Sequence, residues 1–107
     1  MRALVCHNIT DDLSGVSVKE LPVPEPGRGE VVIRVRAASV NFPDILLCQG
    51  RYQLKLDPPF TPGMDVSGEI HSMGEGVTGF SVGDAVCGGT RFGAFAEYAR
   101  LPASGLQ

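Results

Sequence analysis

The sequence predicts a mainly β fold, a compact and partly open β-barrel with one or two short helices. Fourteen glycines and eight prolines interrupt the 107 residues so often that long helices have little room. Several short segments alternate apolar and polar side chains, as strands packed on one face do. Hydrophobic residues make up 43% of the chain and charged residues 20%, a balance typical of one folded domain rather than a disordered chain.

The N-terminal part predicts two short strands, a turn and a connector. Residues 3–6 are apolar, residues 8–15 are polar and end in Ser-Gly, and residues 16–21 alternate as a strand does. Prolines at alternate positions in residues 21–27 favour extended backbone and remove hydrogen-bond donors. This segment is therefore predicted to follow a sheet edge or the surface.

The clearest strand is predicted over residues 30–40. There Val31, Ile33, Val35 and Ala37 share one face, and arginines occupy the other. We expect the apolar face to pack on the core.

A short helix is predicted over residues 43–50. Asn41 can cap its start, Pro43 suits the first turn, and Asp44 complements the positive end of the helix dipole. Gly50 suits the stop.

The rest of the chain alternates loops and strands. Residues 57–63 contain three prolines and predict a structured loop, and residues 65–73 predict a strand. Residues 74–83 are rich in turn formers, and further strands are predicted at 84–87 and 94–101.

Residues 74–79 match the dinucleotide-binding pattern G-x-G-x-x-G letter for letter. That motif binds pyrophosphate when a strand precedes it and a helix follows, because the helix N-terminus then faces the phosphates. A strand is predicted before it, but Gly83 and the return to a strand pattern leave no helix after it. We therefore favour a glycine-rich turn over a nucleotide site.

Composition excludes several classes of function. The net charge is −3 and the basic residues form no stripe, so nothing favours binding to nucleic acid or to an anionic membrane. No apolar run approaches the roughly 20 residues of a spanning helix, and the N-terminus does not resemble a signal peptide. The three cysteines are odd in number and widely spaced, which predicts no disulfide framework and a cytoplasmic location.

Metal binding and nucleophilic catalysis find little support. No two cysteines lie within a few residues, and His7 and His71 lack partners at ligand spacing, so no metal site is predicted. No Gly-x-Ser-x-Gly motif occurs. Cys48 falls on the apolar side of the predicted helix, which favours a buried structural role.

Two residues are candidates for a cleft. Asn41 lies between the clearest strand and the helix, so it either caps the helix or points into a cleft. Tyr52 follows the helix, and it either packs on the barrel as a loop aromatic or donates a hydrogen bond to a substrate oxygen.

Almost the whole chain resembles, segment by segment, the N-terminal GroES-like domain of medium-chain dehydrogenases/reductases. The segments are PVPEPG at 22–27, EVVIRV at 30–35, AASVNFPD at 37–44, PFTPGMDVSGEI at 59–70, GEGVTGFSVGDAV at 74–86 and GAFAEYA at 93–99. No single segment is decisive, but together they are specific.

Within that family the chain resembles the zinc-free quinone oxidoreductase, or zeta-crystallin-like, branch. Zinc alcohol dehydrogenases have Cys where this chain has Asn41, and Gly-His-Glu where it has residues 63–65, Gly-Met-Asp. The structural zinc lobe is also missing after Cys87. The resemblance therefore implies no zinc, and NADPH as the hydride donor to a quinone or an α,β-unsaturated carbonyl.

The resemblance also implies a site in which hydrogen-bond donors and water replace the metal. Asn41 and Tyr52 would be the catalytic residues, with Asn41 near the nicotinamide and Tyr52 near the substrate carbonyl. Phe42 and Asp44 would support the cofactor side together with Asn41. Met64 would line the substrate pocket with Tyr52.

Residues 1–107 are predicted to be the GroES-like catalytic domain alone, without the Rossmann domain that binds the nucleotide. The resemblance implies that this second domain is supplied in cis or by another chain, and that the parent protein can form a homodimer. We expect the isolated chain to be inactive with NADPH and a quinone. The alternative is a non-enzymatic barrel module that binds a partner or serves assembly.

Overall fold

The computed structural model describes all 107 residues and confirms a mainly β fold. In chain order the elements are β1 (Arg2–Cys6), β2 (Val16–Glu20), β3 (Glu30–Ser39), α1 (Phe42–Gln49), β4 (Asp65–Met73), β5 (Ala85–Gly89), β6 (Tyr98–Pro102) and a short 3-10 helix (Ala103–Gly105). Neither helix has the length and apolar character needed to cross a bilayer.

The strands form two antiparallel sheets, so the barrel is partly open. β1 and β2 make a two-stranded sheet, and the other four strands lie in the order β5-β4-β3-β6. Isolated bridges join Ala3 to Ala96 and Cys6 to Phe60. These bridges tie the small sheet to the rest of the molecule.

The pairing of β3 with β4 positions the candidate site. In their antiparallel register Ser39, the last residue of β3, lies opposite Asp65, the first residue of β4. Helix α1 starts three residues after Ser39. The end of β3, the start of α1 and the start of β4 therefore meet at one edge of the sheet.

The shared face predicted for β3 is correct only in part. Val31 and Ile33 are buried and Val35 is half-buried, but Ala37 is exposed. The ladder shifts register between Val35 and Ala37, which leaves Arg36 as an extra residue and turns over the side chains that follow. A simple alternation of apolar residues cannot show such a bulge.

The predicted helix is confirmed, with both ends one residue earlier than expected. Asn41 precedes it in extended backbone at φ −120°, and Gly50 ends it in the left-handed region at φ 72°. The N–H groups of Gly50 and Arg51 donate to carbonyl oxygens of the last turn. Glycine suits this position because it has no Cβ to oppose a positive φ.

The glycine motif at residues 74–79 is a turn, as predicted, because no helix separates β4 from β5. A Cβ on Gly74 would lie 1.8 Å from the carbonyl oxygen of Gly27. Close approach of two backbone segments therefore explains this glycine, without a phosphate.

The last strand starts later than its prediction at residues 94–101. Gly93 has φ 105°, and the N–H of Ala96 donates to the carbonyl oxygen of Ala94 at 3.0 Å, so a tight turn comes before β6. The strand predicted at 84–87 is β5, which extends two residues further, to Gly89.

Buried apolar side chains form two separate clusters. The larger one, here called the sheet cluster, comprises Val31, Ile33, Val66, Ile70, Val86, Ala94, Ala99 and Leu101. The smaller one, here called the helix cluster, comprises Cys6, Leu47, Cys48 and Phe60. Since two members of the helix cluster belong to α1, this cluster fixes the helix that carries the candidate site.

Candidate functional site

Asn41 joins β3 to α1, and Asp44 holds its backbone. The N–H of Asn41 donates to Oδ2 of Asp44 at 2.8 Å, and the N–H of Asp44 donates back to the Asn41 carbonyl oxygen at 3.0 Å. Asp44 is only 2% exposed, and its Oδ1 has no hydrogen-bond partner. The buried Asp44 carboxylate therefore supports Asn41 from behind, and its place on the cofactor side of the site stays a prediction.

The side chain of Asn41 points along the sheet edge. Its Nδ2 donates to Oδ2 of Asp65 at 2.8 Å and to Oγ of Ser39 at 3.1 Å. The Ser39 hydroxyl lies 3.5 Å from the same Asp65 oxygen. We call these three side chains the Asn41 triangle. Of the two roles considered for Asn41, helix cap or cleft residue, the structure shows the cap position, with a capping box between Asn41 and Asp44. The amide nitrogen of Asn41 is bound to β4 as well.

Ser39 and Asp65 were not predicted as site residues. Both lie inside segments that the sequence marked, but their contact depends on the register of β3 with β4. A correct strand pairing would have found them, because antiparallel neighbours at the ends of two strands lie side by side.

Tyr52 and Met64 are half-buried, and both pack against the helix cluster. The Tyr52 hydroxyl makes no hydrogen bond to the protein and is not buried, so its ring packs on the barrel while its donor stays available. Phe42 is 71% exposed at the start of α1. The structure thus gathers Asn41, Phe42 and Met64 around one junction and places Tyr52 on the same cluster as Met64.

Two cavities open beside Asp65. One, of about 580 Å³, is lined among others by Ser39, Asp65, Ser67, Cys87 and Gln107. The other, of about 570 Å³, is lined among others by Met64, Asp65, Thr90, Arg91 and Phe92. Their volumes fall in the range of small-molecule sites. Asp65 thus links the Asn41 triangle to both cavities.

Histidine, cysteine, aspartate and glutamate side chains nowhere gather in a group of three that could hold a metal ion. Cys48, the cysteine nearest the site along the chain, is buried in the helix cluster. Burial, reinforced by the neighbouring Cys6, raises the pKa of the Cys48 thiol to about 12. Cys48 therefore stays protonated at neutral pH, and the structural role predicted for it is confirmed by its burial.

Sequence comparison identifies relatives much longer than this chain. Residues 27–107 match the family described as Alcohol dehydrogenase GroES-like domain. Quinone oxidoreductase-like protein 2 of Mus musculus is 42% identical over 96 residues, which cover 90% of this chain and 27% of that protein. A zinc-type alcohol dehydrogenase-like protein of Schizosaccharomyces pombe is 36% identical over 123 residues, which cover 92% of this chain and 36% of that protein. The chain thus spans about a third or less of these relatives.

Solved structures show the same fold. The human synaptic vesicle membrane protein VAT-1 homolog-like protein superposes with a TM-score of 0.93 at 30% identity, covering 100% of this chain and 34% of that one. The quinone oxidoreductase of Thermus thermophilus, solved also in complex with NADPH, gives a TM-score of 0.81 at 33% identity, covering 99% of this chain and 31% of that one.

Proposed function

This chain belongs to the alcohol dehydrogenase GroES-like domain family, in the quinone oxidoreductase branch of the medium-chain dehydrogenases/reductases, and we propose a function from that premise. It is the catalytic-domain portion of a zinc-independent, NADPH-dependent oxidoreductase that reduces a quinone or an α,β-unsaturated carbonyl. The Asn41 triangle carries the proposal. Where zinc enzymes of the family have ligands, this chain has an amide bound to Asp65, with Met64 next to it.

The residues of this chain suit one end of a dinucleotide. The carboxamide of Asn41 lies at the start of α1, and Phe42 presents an exposed ring beside it. The glycine turn at residues 74–79 has no helix behind it to receive phosphates. We assign the rest of the nucleotide to a Rossmann domain, in cis or on another chain, where bound NADPH would supply the hydride.

We assign the substrate side of the site to Tyr52 and Met64. Negative charge develops on the substrate oxygen when a carbonyl is reduced, and a hydrogen-bond donor at that oxygen lowers the barrier. The free Tyr52 hydroxyl is the donor we assign to it. Met64 packs against the same helix cluster as Tyr52 and provides apolar surface on this side of the site.

Metal analysis of the full-length protein tests the zinc assignment, which matters because the Schizosaccharomyces pombe relative is named zinc-type. After dialysis we expect far less than one zinc per chain, and we expect NADPH oxidation by 1,4-benzoquinone to continue in EDTA. Stoichiometric zinc whose removal abolishes turnover would refute the proposal.

Substitution of Tyr52 tests the donor assignment. Tyr52→Phe keeps the ring on the helix cluster and removes only the hydroxyl, so we expect kcat to fall by about 100-fold with little change in stability. Tyr98→Phe, which changes the chain's other tyrosine, is the matched control and should retain activity. A full-length protein that binds no NADPH would favour the non-enzymatic module instead.

A further inference from the structure

Cys6 and Cys48 come from distant parts of the chain and lie in the same small core, the helix cluster. Cys6 ends β1 at 0% exposure, and Cys48 lies in the last turn of α1 at 4% exposure. Both thiols are free, and the proposed function uses neither of them. We propose that they form a reversible disulfide when α1 opens in the presence of a peroxide, and that this bond locks the helix onto β1.

The segments that follow the two cysteines are bonded to each other. Gln49 Nε2 donates to the carbonyl oxygen of Asp11 at 2.8 Å, and the Arg51 guanidinium donates to the carboxylate of Asp11 at 2.9 Å. Gln49 is the residue after Cys48, and Asp11 belongs to the turn after β1. These contacts hold the end of the helix against the end of the strand, where Cys6 and Cys48 lie.

The Cys6 side chain directly affects the Cys48 thiol. Burial is the first cause that raises the pKa of Cys48 to about 12, and Cys6 is the next, through its charge and as a hydrogen-bond partner. Sγ of Cys6 itself donates to the carbonyl oxygen of Asn8 at 3.3 Å. In the closed molecule the Cys48 thiol is therefore protonated and shielded. Opening of α1 brings it into water and removes the main cause of the raised pKa.

A peroxide is the oxidant that balances the reaction. One thiol gives up its proton, and its sulfur attacks hydrogen peroxide. The O–O bond breaks, so a sulfenic acid forms and the departing hydroxide takes up the proton as water. The other sulfur then attacks the sulfenic sulfur, so the S–S bond forms, the S–O bond breaks and a second water leaves with the remaining thiol proton. The two thiols lose two electrons, and the peroxide is reduced to water.

Mass spectrometry of the purified chain tests the bond. In a Cys87→Ser background, which removes the exposed thiol, hydrogen peroxide should lower the mass by two hydrogen atoms. A non-reducing digest should contain Cys6 and Cys48 in linked peptides, and dithiothreitol should reverse the change. Adding Cys48→Ser as the matched control keeps Cys6 without its partner and should abolish the loss of mass. Added oxygen atoms without linked peptides, or thiols that stay unchanged, would overturn the proposal.

Hydrogen exchange tests the lock on one protein in its two redox states, so it does not depend on how a further variant folds. A cross-link between residues far apart in the chain restricts the open state more than the closed state. We expect the amides of α1 to exchange at least about tenfold more slowly after oxidation of the Cys87→Ser chain, with the β3–β4 pair unchanged. Dithiothreitol should restore the faster exchange. Equal or faster exchange of α1 in the oxidised chain would show that the disulfide does not hold the helix.

Discussion

Asp44 combines deep burial with a carboxylate that uses only one oxygen. Oδ2 accepts the Asn41 N–H at 2.8 Å, and Oδ1 has no partner. Asp44→Ala should destabilise the chain by about 1–3 kcal/mol, because it leaves a backbone donor at the helix start unpaired. Asp44→Asn keeps that acceptor and removes a buried charge, so we expect a cost below about 1 kcal/mol.

Urea unfolding followed by circular dichroism measures both Asp44 variants. Equal losses for Asp44→Ala and Asp44→Asn would mean that the charge, and not the hydrogen bond to Asn41, stabilises the helix start.

The three cysteines differ in how far their thiols are exposed to solvent. Cys6 and Cys48 are buried and Cys87 is exposed. Because burial raises the pKa of Cys48 to about 12, its thiol is protonated at pH 8 and cannot react as a thiolate. We expect iodoacetamide at pH 8 to add one group to the native chain, at Cys87, and three in denaturant, as counted by mass spectrometry. Cys87→Ser should then take up none when native; rapid labelling of Cys48 would contradict this account.

At the scale of residues the sequence singled out Asn41 but not the side chains to which it is hydrogen-bonded. Asn41 is found because it lies where a strand gives way to a helix, a local feature. The contacts of Asp65 with Asn41 and Ser39 span 24 and 26 residues, and they depend on the register of two strands. Such contacts follow from tertiary pairing, which a pattern along the chain does not contain.

At the scale of elements, Gly74 shows why a motif needs its context. The dinucleotide motif uses glycine to approach a phosphate, whereas here a Cβ at Gly74 would lie 1.8 Å from the Gly27 carbonyl oxygen. Gly74→Ala should therefore cost at least about 2 kcal/mol. Gly89→Ala is the control, since its Cβ would meet nothing closer than 3.6 Å. Thermal unfolding compares the two variants; equal melting temperatures would show that the turn adjusts freely.

Strand boundaries are predicted well where the alternation is regular and missed where the backbone departs from it. β4 matches its prediction at both ends, at Asp65 and Met73. The bulge at Arg36 and the tight turn before Tyr98 are set by packing with neighbouring strands. Neither changes the composition of its segment, so no pattern along the chain reveals them.

At the scale of the whole molecule, the mainly β architecture followed from frequent glycine and proline and from short alternating segments. How the six strands divide into two sheets did not follow, since that division depends on long-range pairing. The order of the segments along the chain was recognised from their resemblance to the family. The hydrogen-bonded site at their junction came from the structure.

The helix cluster and the sheet cluster are separate, so the core consists of two parts that can open independently. Opening α1 exposes few buried side chains, whereas opening β3 and β4 breaks the larger cluster. We expect the amides of α1 to exchange with deuterium well before those of the β3–β4 pair, as hydrogen-exchange mass spectrometry would show. Equal protection of the amides of α1 and of the β3–β4 pair would mean that the two clusters unfold together. Local opening of α1 would then loosen the end of the molecule that carries Asn41 while the sheet keeps its strand pairing.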